Sequence, residues 1–96
     1  MLGQKIKELR ESKGLLQRHI AAELNVDSAL ISKIESSDKP LSKLHLKSLS
    51  KILDITESEL NNYWLADKIL QVINNEPKAL DALLLVFKKL KMNEPN

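Results

Sequence analysis

Apolar residues recur every three or four positions in six successive segments of this 96-residue chain, a spacing typical of amphipathic helices. In the first segment, Leu2, Ile6 and Leu9 fall on one side of a helix. The chain has only two glycines and three prolines, so it offers few turns between these segments. The pattern therefore predicts an all-α fold made of a few helices with short connections.

The predicted helix ends depend on residues that start or stop helices. Gly14 and Asn25 suit the left-handed conformation that follows a helix, while Asp27 and Ser42 suit the position that caps one. Thr56 and the glutamate three residues later have the form of a capping box. These signals predict helices over about 2–13, 17–24, 28–36 and 43–53, a fifth that begins after Thr56, and a sixth with Pro77 in its first turn. Residues 92–96 are predicted to be a frayed tail.

The composition limits the classes of protein to which the chain can belong. It has no cysteine, which excludes disulfides and thiolate metal sites and favours a reducing cytoplasm. The longest apolar run, residues 83–87, is too short for a signal peptide or a membrane span. Residues 1–54 carry ten Lys/Arg and seven Asp/Glu, whereas residues 55–96 carry five and six. The positive charge thus lies in the first half, consistent with an anionic partner there.

No pattern of residues indicates catalysis or a bound cofactor. His19 and His45 are 26 residues apart, and no obvious set of Asp and Glu residues accompanies them to complete a metal site or a catalytic site. Gly3 and Gly14 cannot form a glycine-rich phosphate loop, and no strained nucleophile turn accompanies the serines. We therefore expect that the protein is not an enzyme, has no metal site and uses no cofactor.

The stretch from Gln17 to Glu35 carries the functional signal. A helix of about eight residues, a short turn and a second helix of about nine have the spacing of a helix-turn-helix. Ala21 is small enough to let the two helices approach closely, and Val26 and Ile31 are apolar residues that can hold the turn and the second helix to the core. This spacing also occurs in helical bundles that bind no DNA.

Residues 3 to about 60 resemble the lambda-repressor or Cro-like family, often called Xre-type regulators, without a gap over about 55 residues. The resemblance implies a five-helix domain that binds operator DNA as a symmetric dimer. Phage repressors, antitoxins and controllers of restriction-modification operons are short regulators of this kind, and the chain is most similar to the controllers. The matching segments are Ile6–Arg10, Lys13–Gln17, Ile20–Ala21, Leu24–Val26, Ile31–Glu35 and Leu49–Leu53.

The resemblance also implies which residues meet DNA. Gln17 opens the second helix, where the family places a glutamine near the DNA backbone, and the exposed face of the third helix is the part that reads the major groove. Lys39 and Lys43 follow that helix and are candidates for phosphate contact, whereas Lys47 and Lys51 fit a solvated helix face better. The expected DNA-binding set is Gln17, Arg18, Ser28, Ala29, Ser32, Lys33, Lys39 and Lys43.

The side chains of the third helix suit a groove. Ser28 and Ser32 can donate or accept hydrogen bonds, Ala29 can touch a thymine methyl group, and Lys33 can reach a guanine or a phosphate. The set has neither an arginine for guanine nor an asparagine or glutamine for adenine. We therefore expect phosphate contacts and DNA shape to supply much of the affinity.

The chain departs from the family pattern at three places. Leu16 replaces the Ser or Thr that caps the second helix, so that cap is lost or supplied by another group. Ala29 and Leu30 make the start of the third helix unusually apolar. Ser36-Ser37 replaces the common Asn-Gly pair, so a different shape is expected for the following loop.

Arg10 and Glu35 match a pair that family members often join in a salt bridge between the first and third helices. The resemblance thus implies a structural ion pair, and the alternative is two solvated charges.

The segment after residue 62 exceeds the minimal DNA-binding domain and is too apolar for two exposed helices. We expect a DNA-binding domain at residues 1–62 and a helical extension at 63–92 that makes a dimer, partly because family members dimerise through added helices. The alternative is that the extension folds back to enlarge one core. The expected interface residues are Trp64, Ile69, Val72, Ile73, Leu80, Leu83, Leu84 and Phe87.

Together these features predict a transcriptional regulator that binds double-stranded DNA as a homodimer on a pseudo-palindromic operator. The alternative is an antitoxin-like protein that neutralises a partner through its C-terminal helices.

Overall fold

The computed structural model describes residues 1–94, and these residues form six α-helices and no strand, as the sequence predicts. One turn of 3₁₀-helix, Lys43–His45, precedes the fourth α-helix directly. The helices are α1 (Leu2–Ser12), α2 (Gln17–Leu24), α3 (Ser28–Glu35), α4 (Leu46–Leu53), α5 (Glu57–Ile73) and α6 (Ala79–Met92).

Helices α1–α4 and the first turns of α5 enclose one aliphatic core. Burial of a large aliphatic side chain stabilises a fold by about 1.5–3 kcal/mol, so this core holds the five elements together. Val26, which the sequence predicts to enter the core, is half-buried at its edge. The buried apolar side chains are Leu2, Ile6, Ile20, Ala21, Leu24, Ile31, Ile34, Leu41, Leu46, Leu49, Leu53 and Leu60.

A left-handed residue ends each of the first two helices. Gly14 has φ +67°, and the N–H of Leu15 donates to the carbonyl of Arg10 at 3.0 Å, which closes the end of α1 as a Schellman motif. Asn25 has φ 57° and ψ 46° at the end of α2, and the N–H of Val26 donates to the carbonyl of Ala21 at 3.0 Å. Both left-handed residues were predicted from the sequence and are confirmed.

Several predicted boundaries differ from the structure. The third helix ends at Glu35, and the predicted fourth helix begins as 3₁₀-helix, a conformation common in the first turn of an α-helix. Pro77 was expected inside the first turn of the last helix, but it lies two residues before α6, in a turn where the N–H of Ala79 donates to the carbonyl of Glu76. Helix α6 includes Met92, the first residue of the predicted tail. Pro95 and Asn96 lie outside the described residues.

Helix α5 is tied to the core beyond the predicted domain boundary at Asn62. The indole N–H of Trp64 donates to the carbonyl of Leu41 at 2.8 Å. The carboxylate of Asp67 accepts from the backbone N–H of Leu2, the first residue of α1, at 2.9 Å. The packed part of the molecule therefore continues to Asp67.

The rest of α5 and all of α6 form an apolar arm, defined here as residues 69–92. Helix α6 has no buried residue, and Phe87 and Leu90 are 56% and 64% exposed. Val72 on α5 is 78% exposed. No described helix is long and apolar enough to cross a membrane.

Candidate nucleic-acid interface

Helix α3 has one buried and one exposed face. The carboxylate of Asp27 accepts from the N–H of Leu30 at 2.9 Å and so caps the helix, as the sequence predicts. Ile31 and Ile34 are buried and fix the helix on the core. The opposite face presents four exposed residues, Ser28, Ala29, Ser32 and Lys33. These are the four side chains expected to read the major groove.

The turn between α2 and α3 sets how the exposed face is presented. Ala21 is 3% exposed, so α2 and α3 pack closely where it lies. The left-handed Asn25 reverses the chain within three residues, and Asp27 then starts α3. A short turn of this kind holds two helices at a fixed angle.

The loop after α3 folds back onto the helix. The carbonyl of Lys33 accepts from the N–H groups of Asp38 and Lys39 at 2.8 and 3.2 Å. Ser37 has φ +65°, and its N–H donates to the carbonyl of Ile34 at 3.0 Å, so a Schellman motif ends α3 without a glycine. Ser37 thus takes the left-handed conformation that glycine adopts most easily. The loop thereby keeps Lys39 next to the end of α3.

A buried network joins α1, α2 and α3 behind the exposed face. Arg10 donates from Nε and Nη2 to the two carboxylate oxygens of Glu35 at 2.7 and 3.0 Å. Its third nitrogen, Nη1, donates to the carbonyl of Leu15 at 2.9 Å. The side-chain amide of Gln17 donates to Glu35 Oε1 at 3.1 Å. Both charges are buried, and the hydrogen bond to Glu35 raises the pKa of Arg10 above its ordinary value.

A sequence profile of the helix-turn-helix family matches residues 6–60, which is more than half of the chain. The chain belongs to this family. It is a DNA-binding helix-turn-helix protein of the lambda-repressor, or Xre, type. Comparisons with curated proteins and with solved structures return no significant match.

Two residues expected to meet DNA in this helix-turn-helix protein have partners within the chain. Gln17 is half-buried and gives its amide N–H to Glu35, so its side chain serves the buried network. The ammonium group of Lys43 lies 5.3 Å from the centre of the Trp64 ring, a cation–π distance. Lys43 is nevertheless exposed, as are Arg18 and Lys39.

The start of α2 has a cap that the sequence analysis missed. Leu16 has no side-chain acceptor, but its N–H donates to Nδ1 of His19 at 2.9 Å, while its carbonyl accepts from the N–H of His19 at the same distance. His19 thus supplies the reciprocal half of a capping box. The signal was present as a polar side chain three residues after the cap position.

The residues expected in a dimer interface fall into two groups. Trp64 is half-buried and packs against the core of its own chain, so it follows the alternative in which the extension enlarges that core. Ile73 and Leu83 are also half-buried. Five are exposed, namely Ile69, Val72, Leu80, Leu84 and Phe87.

Three further residues that position the interface were not singled out from the sequence as doing so. Gly3 is buried where α1 meets the end of α3, and a β-carbon there would overlap the carbonyl oxygens of Ile34 and Glu35. Leu41 and Asp67 hold α5 to the core. All three act through contacts distant in sequence, which periodicity does not reveal. Among residues 1–94, no group of three or more His, Asp or Glu could hold a metal ion.

Proposed function

We propose that this helix-turn-helix protein regulates transcription as a homodimer on a pseudo-palindromic operator. The observation that carries the proposal is the combination of two exposed surfaces on one chain. One is the polar face of α3, with Ser28, Ser32 and Lys33. The other is the apolar arm, residues 69–92, in which helix α6 has no buried residue and Val72, Leu80, Leu84 and Phe87 are exposed.

The face of α3 has the chemistry of a major-groove reader. Serine hydroxyls hydrogen-bond the edges of bases, the methyl group of Ala29 fits beside a thymine methyl, and the Lys33 ammonium can reach O6 and N7 of guanine. These side chains are short, apart from Lys33, so the first turn of α3 can lie deep in the groove. Arg18 and Lys39 flank it as candidates for phosphate contacts.

Gln17 has a weaker claim to direct contact, because its side-chain amide is hydrogen-bonded to Glu35. Lys43 is exposed and could exchange its contact with the Trp64 ring for a phosphate. Gln17 can still act through its backbone, since the first N–H groups of α2 have no helical acceptor and suit a phosphate. The Arg10–Glu35–Gln17 network fixes α1, α2 and α3 relative to one another and thereby sets the angle of the reading face.

Two features support the homodimer, namely the short exposed face of α3 and the apolar arm. One turn of α3 contacts only a few base pairs, so a single copy gains little specificity. Two copies related by a two-fold axis present their reading helices about 34–36 Å apart on one side of the DNA. Exposed apolar surface of this extent marks an interaction site, and a second copy supplies an identical surface.

The DNA-binding part is tested with Lys33→Ala and a matched control, Lys51→Ala. Both substitutions remove one exposed lysine charge, but Lys51 lies on α4 and not on α3. Operator sequences selected from a random pool are titrated by fluorescence anisotropy. Lys33→Ala should weaken binding by about 1–3 kcal/mol with relaxed preference at one base pair, or uniformly with a salt slope lower by about one if Lys33 meets phosphate.

Equal affinities for wild type, Lys33→Ala and the further variant Ser32→Ala would overturn the assignment of α3. The dimer is tested separately by sedimentation equilibrium of the full chain. A monomer at micromolar concentration would overturn the homodimer and favour the antitoxin-like alternative, in which a different protein covers the arm.

A further inference from the structure

The apolar stripe of α6 is symmetric in sequence. Leu80, Leu83, Phe87 and Leu90 are separated by three, four and three residues, so their spacing is the same in either chain direction. Such a stripe forms the seam of a two-helix contact, because steps of three and four keep residues on one side of a helix. A symmetric stripe is self-complementary when a second copy runs in the opposite direction, as a two-fold interface requires.

The side chains of the stripe are available for such a contact. Leu80, Phe87 and Leu90 are between 56% and 69% exposed, and Leu83 is half-buried. Helix α6 has 14 residues and is therefore about 21 Å long, enough for four layers of side chains.

The charges along α6 also favour opposite directions. Residues 76–81 carry two carboxylates and one lysine, whereas residues 88–94 carry three lysines and one carboxylate. Two parallel copies would bring both lysine-rich ends together, while antiparallel copies place each beside the acidic end of the other. The helix dipoles are also opposed favourably in the antiparallel arrangement.

We infer that α6 packs antiparallel against α6 of a second copy, with the two-fold axis beside residue 85. This inference rests on the proposed homodimer and specifies its contact. Leu80 then meets Leu90 of the second copy, and Leu83 meets Phe87. Leu84 lies next to its own counterpart near the axis.

The natural chain has no cysteine, so the pairing can be tested by placing single cysteines in it. Full-length Leu80→Cys and Leu90→Cys, one carrying a size tag, are mixed, allowed to exchange subunits and oxidised. The mixture should give a cross-linked heterodimer, because the pairing puts residues 80 and 90 side by side. Neither variant alone should cross-link, since equivalent residues are ten positions apart along the seam, about 15 Å.

Leu85→Cys is the matched control. Residue 85 lies at the level of the axis but about 140° around the helix from Leu80, so it should not cross-link. Cross-linking of either Leu80→Cys or Leu90→Cys alone, or of Leu85→Cys, would overturn the antiparallel pairing.

Sedimentation of the reduced variants separates the two proposals. A dimeric chain without the 80–90 cross-link would overturn the antiparallel pairing and leave the proposed function standing, whereas a monomeric wild-type chain would overturn the homodimer itself. If cysteine in the stripe dissociates the dimer, single cysteines beside the stripe test the same pairing. Leu84→Cys alone should then cross-link near the axis, whereas Lys91→Cys alone should not, because the two copies of residue 91 lie about 18 Å apart along antiparallel helices. The opposite result for either variant would overturn the pairing.

Discussion

Gly3 shows how a single residue without a side chain can set the distance between two helices. It lies in α1, where a β-carbon would be 2.9 Å from the carbonyl oxygen of Glu35 and closer still to that of Ile34. Gly3→Ala should therefore lower the free energy of unfolding by about 1–3 kcal/mol, because α1 or the end of α3 must shift. Urea denaturation followed by circular dichroism measures the loss.

Gly14 provides the control for Gly3, because glycine is favoured there by the backbone conformation and not by a close contact. A β-carbon at Gly14 meets nothing within 4 Å, but the residue has φ +67°. Asparagine tolerates this conformation, so Gly14→Asn should retain most of the stability that Gly14→Ala loses. Gly3→Asn should be at least as destabilising as Gly3→Ala. The opposite order would show that close approach is not the constraint at Gly3.

The buried pair of Arg10 and Glu35 predicts strong coupling. Arg10→Met or Glu35→Leu alone leaves one buried charge without its partner and should cost about 3–5 kcal/mol, whereas the double variant should cost much less than their sum. A double-mutant cycle in urea measures the coupling, and a value near zero would contradict the interaction. Because the hydrogen bond to Glu35 raises the pKa of Arg10 above its ordinary value, its contribution to stability is fully present below that ordinary pKa and is lost only as the pH rises through the raised pKa.

Ser37 predicts a stabilising substitution. Its φ of +65° is strained for a residue with a side chain, so Ser37→Gly should raise the free energy of unfolding by about 0.5–1 kcal/mol. Ser36→Gly is the matched control. Ser36 has φ −84°, and its hydroxyl donates to the Lys33 carbonyl, so glycine there should destabilise. Equal effects at the two positions would rule out backbone strain as the cause.

Among the elements, the helix ends that depend on residues close in sequence could be predicted. The features that depend on contacts between distant residues could not. The Asp27 cap, the Thr56 cap and the left-handed Gly14 depend on residues within one helical turn. The role of Gly3 depends on α3, about 30 residues away, and the sequence signals nothing about it. The position of Trp64 likewise depends on a distant residue, because its indole N–H donates to the carbonyl of Leu41. An aromatic residue expected in a dimer interface therefore packs against the core of its own chain.

The start of α2 gives an element-scale prediction. His19 Nδ1 accepts from the N–H of Leu16, which replaces the cap that a Ser or Thr would supply. His19→Ala should lower the free energy of unfolding by about 0.5–1 kcal/mol, and adding Leu16→Ser should recover part of the loss, because serine can cap α2 directly. If Leu16→Ser has the same effect with His19 present or absent, the two residues do not share the cap.

At the scale of the whole molecule, dimerisation is expected to depend on the apolar arm and DNA contact on the exposed face of α3, so the two can be tested separately. Phe87→Asp should weaken dimerisation at least about 100-fold, since each subunit buries one phenylalanine worth about 1.5–3 kcal/mol. Affinity for a two-half-site operator should fall, while affinity for one half-site should not change. Sedimentation equilibrium and anisotropy measure the two quantities. Leu85→Asp, which places the same charge on the opposite face of α6, should affect neither; a dimer lost equally in both variants would argue against the stripe.

Trp64 gives the molecule a built-in optical reporter. It is the single tryptophan of the chain, and the ammonium groups of Lys43 and Lys68 lie 5.3 and 5.2 Å from its ring centre. This places the fluorophore at the junction between the loop that carries Lys39 and the helix that leads into the arm. If a phosphate draws Lys43 away from the ring, the emission changes, so unlabelled protein can report whether DNA reaches this loop.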